Sequence, residues 1–187
     1  NDPETAKEAR VTYQNDLELY EKNKSTYERE MENLRTDIAN QQEYLDHSIW
    51  INMSPYDVCE ARADLFVSTG YQIMPGMEYQ NRDNTDTILQ AYQSLLTSSA
   101  VLEDVAKQVK TEPRYLEELV EVTIGANQDG QLNRMLTIDV KHMTKEEAKE
   151  VLDAFLAHVD DMHDRISTSI GEHTVSIVNE SVSALVN

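Results

Sequence analysis

The first third of the chain carries a seven-residue repeat of apolar and polar positions. From Tyr13 onward, one set of positions recurs at alternating spacings of four and three residues. We call this set the seam, and it consists of Tyr13, Leu17, Tyr20, Lys24, Tyr27, Met31, Leu34, Ile38, Gln41 and Leu45. The residues between the seam positions are mostly charged or polar, and no Gly or Pro interrupts the stretch. This pattern predicts one long helix whose seam packs against another helix.

The seam raises the question of what covers it. About thirty helical residues extend roughly 50 Å, which is too long to lie wholly on a small domain. We therefore expect a projecting helix, within residues 1–53, whose partner lies in flanking sequence or in another copy of the chain. The alternative is an amphipathic helix lying on its own domain, since Tyr, Met, Lys and Gln make a weakly apolar seam. The expected oligomerisation residues are Tyr13, Leu17, Tyr20, Tyr27, Met31, Leu34, Ile38 and Leu45.

Residues 54–187 show the patterns of a separate domain. Apolar residues occupy every second position of residues 59–67, which predicts a strand with Cys59 facing the core. A helical pattern starts from Asn84, and two further helices follow it. One is capped by Ser98 or Ser99, and a short one is opened by Glu112-Pro113.

The rest of this domain predicts a hairpin, a long helix and a last strand. Residues 120–124 and 134–140 read as strands joined by a turn at Asp129-Gly130. Thr144 and Glu147 form a capping-box pattern before a helix with a continuous apolar face, and residues 173–178 read as a strand. The expected fold class is α+β: a small mixed or antiparallel sheet of about four strands covered by helices, with a long projecting coiled-coil-like N-terminal helix.

The charge of the chain excludes some classes of partner. Its 16 Lys and Arg face 35 Asp and Glu, which gives a formal net charge of −19. Nucleic-acid affinity comes mainly from basic residues that neutralise phosphates, so we expect no nucleic-acid binding. The same charge opposes binding to an anionic membrane surface, and no apolar run approaches the roughly 20 residues that span a bilayer. We therefore expect membrane attachment only through flanking segments.

The chain shows no pattern typical of an enzyme. Its 5 glycines form no dinucleotide-binding loop, no Walker loop and no nucleophile elbow. A single cysteine, Cys59, lies at an inward position of a predicted strand, where a buried thiol is the commoner fate. The strongest metal candidate is a cluster on one predicted helix: His158, Asp160, Asp161, His163 and Asp164. An acidic, solvated helix face explains the same residues without any metal ion. We predict no catalytic residue, no metal and no cofactor.

A resemblance adds to this interpretation. Residues 60–67 and 89–107, including Tyr92-Gln93-Ser94-Leu95-Leu96, resemble the opening of the chain-length determinant (Wzz-type) domain of polysaccharide co-polymerases. Leu136-Thr137-Ile138-Asp139-Val140, Glu147-Ala148 and residues 173–183 are similar to later parts of that domain. The similarity extends over residues 57–185. The long helix comes first here, whereas family members usually carry it after the sheet domain.

The resemblance implies a non-enzymatic scaffold. Such a protein is membrane-anchored, with this domain on the extracytoplasmic face of a bacterial cell membrane, and forms a homo-oligomer that sets the chain length of a surface polysaccharide. Its implied partners are the polysaccharide polymerase or growing glycan and, through the full-length protein, a cytoplasmic tyrosine kinase. Two other classes remain: a ligand-binding sensor or receptor ectodomain that signals through a coiled coil, and a cytoplasmic coiled-coil adaptor. Flanking transmembrane segments on both sides would favour the scaffold.

Overall fold

The chain divides into two units, Asn1–His47 and Ser48–Asn187. A computed structural model describes residues 2–70, 83–126, 130 and 132–185. We expected the boundary after residue 53, whereas residues 48–53 belong to the second unit in the structure. Ser48, the first residue of the second unit, donates its hydroxyl to Oε2 of Glu118 in the same unit at 2.9 Å.

The first unit is a single helix, α1 (Pro3–His47). Proline is favoured at the first helical position, and the side chain of Asp2 accepts a hydrogen bond from the Glu4 amide at 3.3 Å. At the other end, the ring of His47 contacts the Glu43 carbonyl oxygen at 2.9 Å. The 45 residues of α1 extend about 68 Å at 1.5 Å per residue, and none of them is buried.

The second unit confirms the predicted α+β class. Its elements, in chain order, are α2 (Ile49–Asn52), β1 (Cys59–Ser68), α3 (Thr85–Leu96), α4 (Ser99–Gln108), α5 (Pro113–Glu117), β2 (Val120–Ala126), β3 (Leu132–His142), α6 (Lys145–Ser169) and β4 (Thr174–Ala184). Ser98 is the N-cap residue of α4, and it is one of the two residues that the sequence predicted for this position. The predicted turn at Asp129-Gly130 falls partly outside the described residues, because Asp129 is not among them.

The four strands form one antiparallel sheet in the order β2-β3-β1-β4. Ala63 on β1 lies opposite Ile138 on β3 and opposite Glu180 on β4. The register shifts beside Asp64, where Val178 is an extra residue on β4. The strand β4 continues to Ala184, whereas the sequence pattern predicted that it ends at 178.

The core lies between one face of the sheet and the helices. The helices α3 and α6 pack against the sheet, and α4 packs against α5 and α6. Alternate residues of β1 point into this core, and Leu65 is 1% exposed. Phe155 of α6 and Ile138 of β3 are fully buried beside it, and burial of each such side chain contributes about 1.5–3 kcal/mol. Cys59 is half-buried at the start of β1 and is not part of the buried core, which corrects the expectation for this thiol.

The helix α6 begins with the predicted capping interaction. The amide of Glu147 donates to Oγ1 of Thr144 at 3.2 Å, and Thr144 Oγ1 donates to Oε2 of Glu147 at 2.7 Å. This cap satisfies one of the amides that have no partner in the first turn of a helix. It fixes the point at which the chain turns from β3 into the helix that covers the sheet.

Candidate functional site

The apolar members of the seam are exposed along the whole of α1. Leu17 is the least exposed of them at 43%, and Ile38 is the most exposed at 68%. The structure places all eight predicted oligomerisation residues on this one helix, with exposures between those two values: Tyr13, Leu17, Tyr20, Tyr27, Met31, Leu34, Ile38 and Leu45. Two other exposed apolar residues of α1, Val11 and Leu19, lie off the seam.

The spacing assigns each seam residue to one of the two core positions of a heptad. Positions a are Leu17, Lys24, Met31, Ile38 and Leu45, and positions d are Tyr13, Tyr20, Tyr27, Leu34 and Gln41. The tyrosines therefore occupy the d positions of the first half of the seam, and the aliphatic side chains are concentrated in its second half.

Ion pairs add little to the stability of α1. Lys24 Nζ lies 3.9 Å from Oε1 of Glu28, and Arg35 NH1 lies 3.7 Å from Oε2 of Glu32. All four side chains are more than half exposed, and pairs of this kind contribute about 0.3–0.5 kcal/mol. Most helical stability in proteins comes from packing of an apolar face. A partner that covers the exposed seam would therefore stabilise α1 more than these ion pairs do.

The histidine and aspartate cluster of α6 does not converge on one point. His158 Nε2 lies 3.5 Å from Oδ2 of Asp104 on α4. His163 Nε2 donates to the His173 carbonyl oxygen at 3.0 Å, and its Nδ1 lies 3.4 Å from Oδ1 of Asp164. The hydrogen bond to the carbonyl raises the pKa of His163, and Asp164 adds to this effect against the opposing influence of burial. Within the described ranges, no group of three or more His, Cys, Asp or Glu side chains could hold a metal ion.

A buried polar chain joins α3, α6 and the start of β4. The Tyr92 hydroxyl lies 2.8 Å from Nε2 of His173, and Nδ1 of His173 lies 3.2 Å from Oγ of Ser167. Tyr92 is fully buried and His173 is 6% exposed. Burial, with a smaller effect of Asp160, raises the pKa of Tyr92 to about 12. These hydrogen bonds link α3, the end of α6 and the start of β4.

The open face of the sheet carries a second polar network, centred on Asp64. Oδ1 of Asp64 accepts from Thr137 Oγ1 at 2.7 Å and from Arg62 Nε at 3.1 Å. Oδ2 accepts from Asn179 Nδ2 at 2.9 Å. Burial acts to raise the pKa of Asp64, but the hydrogen bonds from Asn179, Thr137 and Arg62 outweigh it and lower the pKa. Asp139 lies 3.6 Å from Arg62 NH1, and burial raises the pKa of its carboxyl group.

An open apolar cavity lies beside the short helix α2. Its volume is about 400 Å³, and Lys141 Nζ lies 5.9 Å from the ring centroid of Trp50, the single tryptophan of the chain. The residues that line it are Trp50, Ile51, Met53, Pro55, Val58, Lys141 and Leu185. The sequence analysis did not identify this cavity or the Asp64 network. The alternation of residues 59–67 already placed Asp64 on the polar face, but its partners on β3 and β4 depend on the register.

No family model matches this chain, and no curated protein matches it. It is similar to the crystal structure of AtUAH in complex with glyoxylate, at 12% identity and a TM-score of 0.31. It is also similar to AtUAH in complex with (S)-hydroxyglycine, at 13% identity and the same TM-score. Both matches cover 68% of this chain and 28% of the AtUAH chain. Likeness at this TM-score carries no argument about fold or function.

Among the described residues, no helix has both the length and the apolar character that crossing a bilayer requires.

Proposed function

We propose that this chain is a non-enzymatic, extracytoplasmic scaffold domain of a membrane-anchored protein that regulates the assembly and chain length of a surface polysaccharide. In this proposal α1 is the oligomerisation arm, and the α+β unit is the domain that packed copies present to the polymerase or to the growing glycan. The resemblance of residues 57–185 to the chain-length determinant domain supports the polysaccharide role.

The observation that carries the scaffold role is the exposed seam of α1. Eight apolar side chains follow one heptad face of a 45-residue helix, and none of them is buried. Complete burial of one leucine-sized side chain contributes about 1.5–3 kcal/mol, so burying even part of this seam would stabilise an assembly by several kcal/mol. A helix with this face is therefore suited to packing against another helix.

Charge opposes the same assembly. Residues 1–47 hold 6 of the 16 basic and 12 of the 35 acidic residues, so residues 48–187 carry a formal charge of −13. Neighbouring copies of such a domain repel each other, and salt screens this repulsion. Self-association through the arm should therefore strengthen as the ionic strength rises, which is the opposite of assembly through ion pairs.

The test of this function is made in the native organism. A triple variant, Tyr20→Glu with Tyr27→Glu and Leu34→Glu, places three carboxylates in the seam. We expect the length distribution of the surface polysaccharide, measured by gel electrophoresis, to change in cells that carry it. The matched control is Leu19→Glu, which changes an equally exposed apolar residue of α1 outside the seam. An unchanged distribution with the triple variant at normal protein abundance would exclude the proposed role.

One observation favours the second candidate, a ligand-binding receptor ectodomain. The cavity beside Trp50 is large enough for a small molecule, and Lys141 gives it a positive charge beside an aromatic ring. Because Trp50 is the single tryptophan, its fluorescence reports on this cavity alone. A saturable fluorescence change on titration with an anionic amphiphile, abolished by Lys141→Ala, would support this candidate. Its absence would leave the scaffold as the better account.

A further inference from the structure

We infer that a second cavity of the α+β unit binds a small zwitterion of the aliphatic amino-acid class, with Lys110 facing its carboxylate and Glu150 facing its ammonium group. This cavity lies where the end of α4, the end of β3 and the first turns of α6 meet. It shares no lining residue with the cavity beside Trp50. The site is also separate from the seam of α1, so it goes beyond the scaffold role and does not depend on it.

The cavity combines apolar walls with a few polar groups. Its apolar walls are formed by Ile49, Val109, Leu116, Leu119 and Val151. Its polar groups come from Lys110, Thr111, His142, Glu147 and Glu150. The volume is about 260 Å³, which is below the roughly 300–1,000 Å³ of pockets that take drug-sized ligands. The cavity therefore fits a small ligand that has a short aliphatic part and charged groups.

Two opposite charges line this cavity without pairing with each other. The side chains of Lys110 and Glu150 are exposed, and neither forms an ion pair or a hydrogen bond with any described residue. Their charged atoms are therefore more than 4.0 Å apart, although both side chains line the same small cavity. A ligand that carries a carboxylate and an ammonium group on one carbon can bridge them. Hydrogen bonds between charged groups of this kind are stronger than neutral ones.

His142 presents an N–H donor from Nε2 in each of its protonation states. The residue is 8% exposed, and the Met143 amide donates to its Nδ1 at 2.9 Å. A ring with one proton therefore carries that proton on Nε2. A ring with two protons also carries one on Nε2, and its Nδ1 then lies 2.8 Å from Oε2 of Glu147.

The proton on Nε2 of His142 has no acceptor within the described part of the chain. Nε2 is open to small molecules, whereas Nε2 of His158 is enclosed by the protein. Polar groups of buried residues are normally hydrogen-bonded, so this N–H calls for an acceptor from outside the chain. A carboxylate that Lys110 attracts into the cavity would supply this acceptor.

Two variants remove the charges of the cavity and keep the fold. Lys110 has a φ of +58°, in the left-handed region that favours glycine. Lys110→Gly therefore removes the ammonium group and should leave thermal stability, measured by circular dichroism, unchanged or higher. Glu150→Gln removes the carboxylate at an exposed position of α6. The matched controls are Lys107→Gln and Glu146→Gln, which remove the same charges from exposed positions of α4 and α6 outside the cavity.

Saturation-transfer NMR measures the binding of leucine to the 187-residue chain. We expect saturable binding that Lys110→Gly and Glu150→Gln each weaken by about tenfold or more and that both controls leave unchanged. Two analogues separate the charges of leucine. The first, 4-methylpentanoate, lacks the ammonium group, and the second, 3-methylbutylamine, lacks the carboxylate. Each should bind about tenfold or more weakly than leucine.

Every other result overturns this site. No saturation transfer from leucine at concentrations up to about 10 mM would show that the cavity does not take this class of ligand. Binding that either cavity variant leaves unchanged would place leucine elsewhere on the chain. Binding of 4-methylpentanoate or 3-methylbutylamine as tight as that of leucine would show a site for a single charge instead of a zwitterion. None of these results bears on α1 as the oligomerisation arm, so a failure of this site is distinguishable from a failure of the scaffold.

Discussion

The hydroxyl of Tyr92 on α3 lies 2.8 Å from Nε2 of His173, the residue that precedes β4. Nδ1 of His173 lies 2.9 Å from the carbonyl oxygen of Gly171, which can only accept a hydrogen bond. When the ring carries one proton, that proton is therefore on Nδ1, and Nε2 accepts the hydrogen bond from Tyr92. This buried bond ties α3 to the point where the chain leaves α6 and enters the edge strand.

We predict that Tyr92→Phe lowers the free energy of unfolding by about 1–3 kcal/mol, because it leaves the buried Nε2 of His173 without its donor. The measurement is urea denaturation followed by circular dichroism. Tyr20→Phe is the matched control, since Tyr20 is 65% exposed and its substitution should change stability by less than about 0.5 kcal/mol. Equal stabilities of the two variants would contradict the role of the Tyr92 bond.

The same tyrosine predicts a loss of stability at high pH. Burial and Asp160 raise the pKa of Tyr92 to about 12 in the folded chain, against about 10 in the unfolded chain. The folded-state pKa is the higher one. The contribution of the protonated Tyr92 hydroxyl to the free energy of unfolding is therefore fully present below about pH 10 and is lost as the pH rises towards 12. Its full size is about 2–3 kcal/mol.

The measurement is the free energy of unfolding between pH 9 and pH 12, compared for the native chain and Tyr92→Phe. We expect the native chain to lose more stability over this range, because only it must keep a buried hydroxyl protonated. Curves that stay parallel would show that Tyr92 does not titrate differently on folding.

We predict that Asp64→Asn destabilises the α+β unit by about 1–3 kcal/mol at neutral pH. An asparagine side chain has one acceptor oxygen, so it cannot accept from Thr137, Arg62 and Asn179 as the carboxylate does. Hydrogen bonds lower the pKa of Asp64 in the folded chain, so its contribution is present above the unfolded value of about 3.9 and is lost as the pH falls through the folded value.

The check is thermal unfolding at neutral pH and at acid pH. The difference between the native chain and Asp64→Asn should shrink as the carboxyl group becomes protonated. Asp161→Asn is the control, because Asp161 is exposed and the substitution removes the same charge. If Asp161→Asn lowered stability as much as Asp64→Asn does, the effect would come from net charge and not from the polar network centred on Asp64.

We predict that Thr144→Ala lowers stability by about 1 kcal/mol, because it removes the acceptor for the Glu147 amide at the start of α6. The same substitution at Thr168, in the last turn of the same helix, provides the comparison. Thr168 Oγ1 donates to the Asp164 carbonyl oxygen one turn earlier, and alanine has the higher helix propensity. Thr168→Ala should therefore be neutral or slightly stabilising, and urea midpoints that fall equally for both variants would contradict the cap.

The elements that the sequence predicted well are those with a local cause. The period of two in residues 59–67 and the capping pattern before α6 are contained within single elements, and the structure confirms both. The second half of β4 was missed because the extra residue, Val178, moves the inward-facing positions from odd to even residue numbers, and the first inward position after it is the charged Glu180.

The polar networks could not be predicted from local patterns, because they depend on strand register and on contacts between residues far apart in the chain. Tyr92 and His173 are 81 residues apart in the chain, and Asp64 and Asn179 are 115 residues apart. Their hydrogen bonds follow from how α3 and β4 pack on β1, which no local pattern specifies. The heptad pattern predicted α1 and the position of its exposed residues, but a pattern of spacing alone does not state what covers them.

The central claim is that the seam of α1 drives self-association. The most direct measurement is light scattering coupled to size exclusion at low and high salt, on this chain. We predict an oligomer that loses mass in the variant with Tyr20→Glu, Tyr27→Glu and Leu34→Glu and keeps its mass in Leu19→Glu. A chain that is monomeric at both salt concentrations, or whose mass the triple variant leaves unchanged, would contradict the claim.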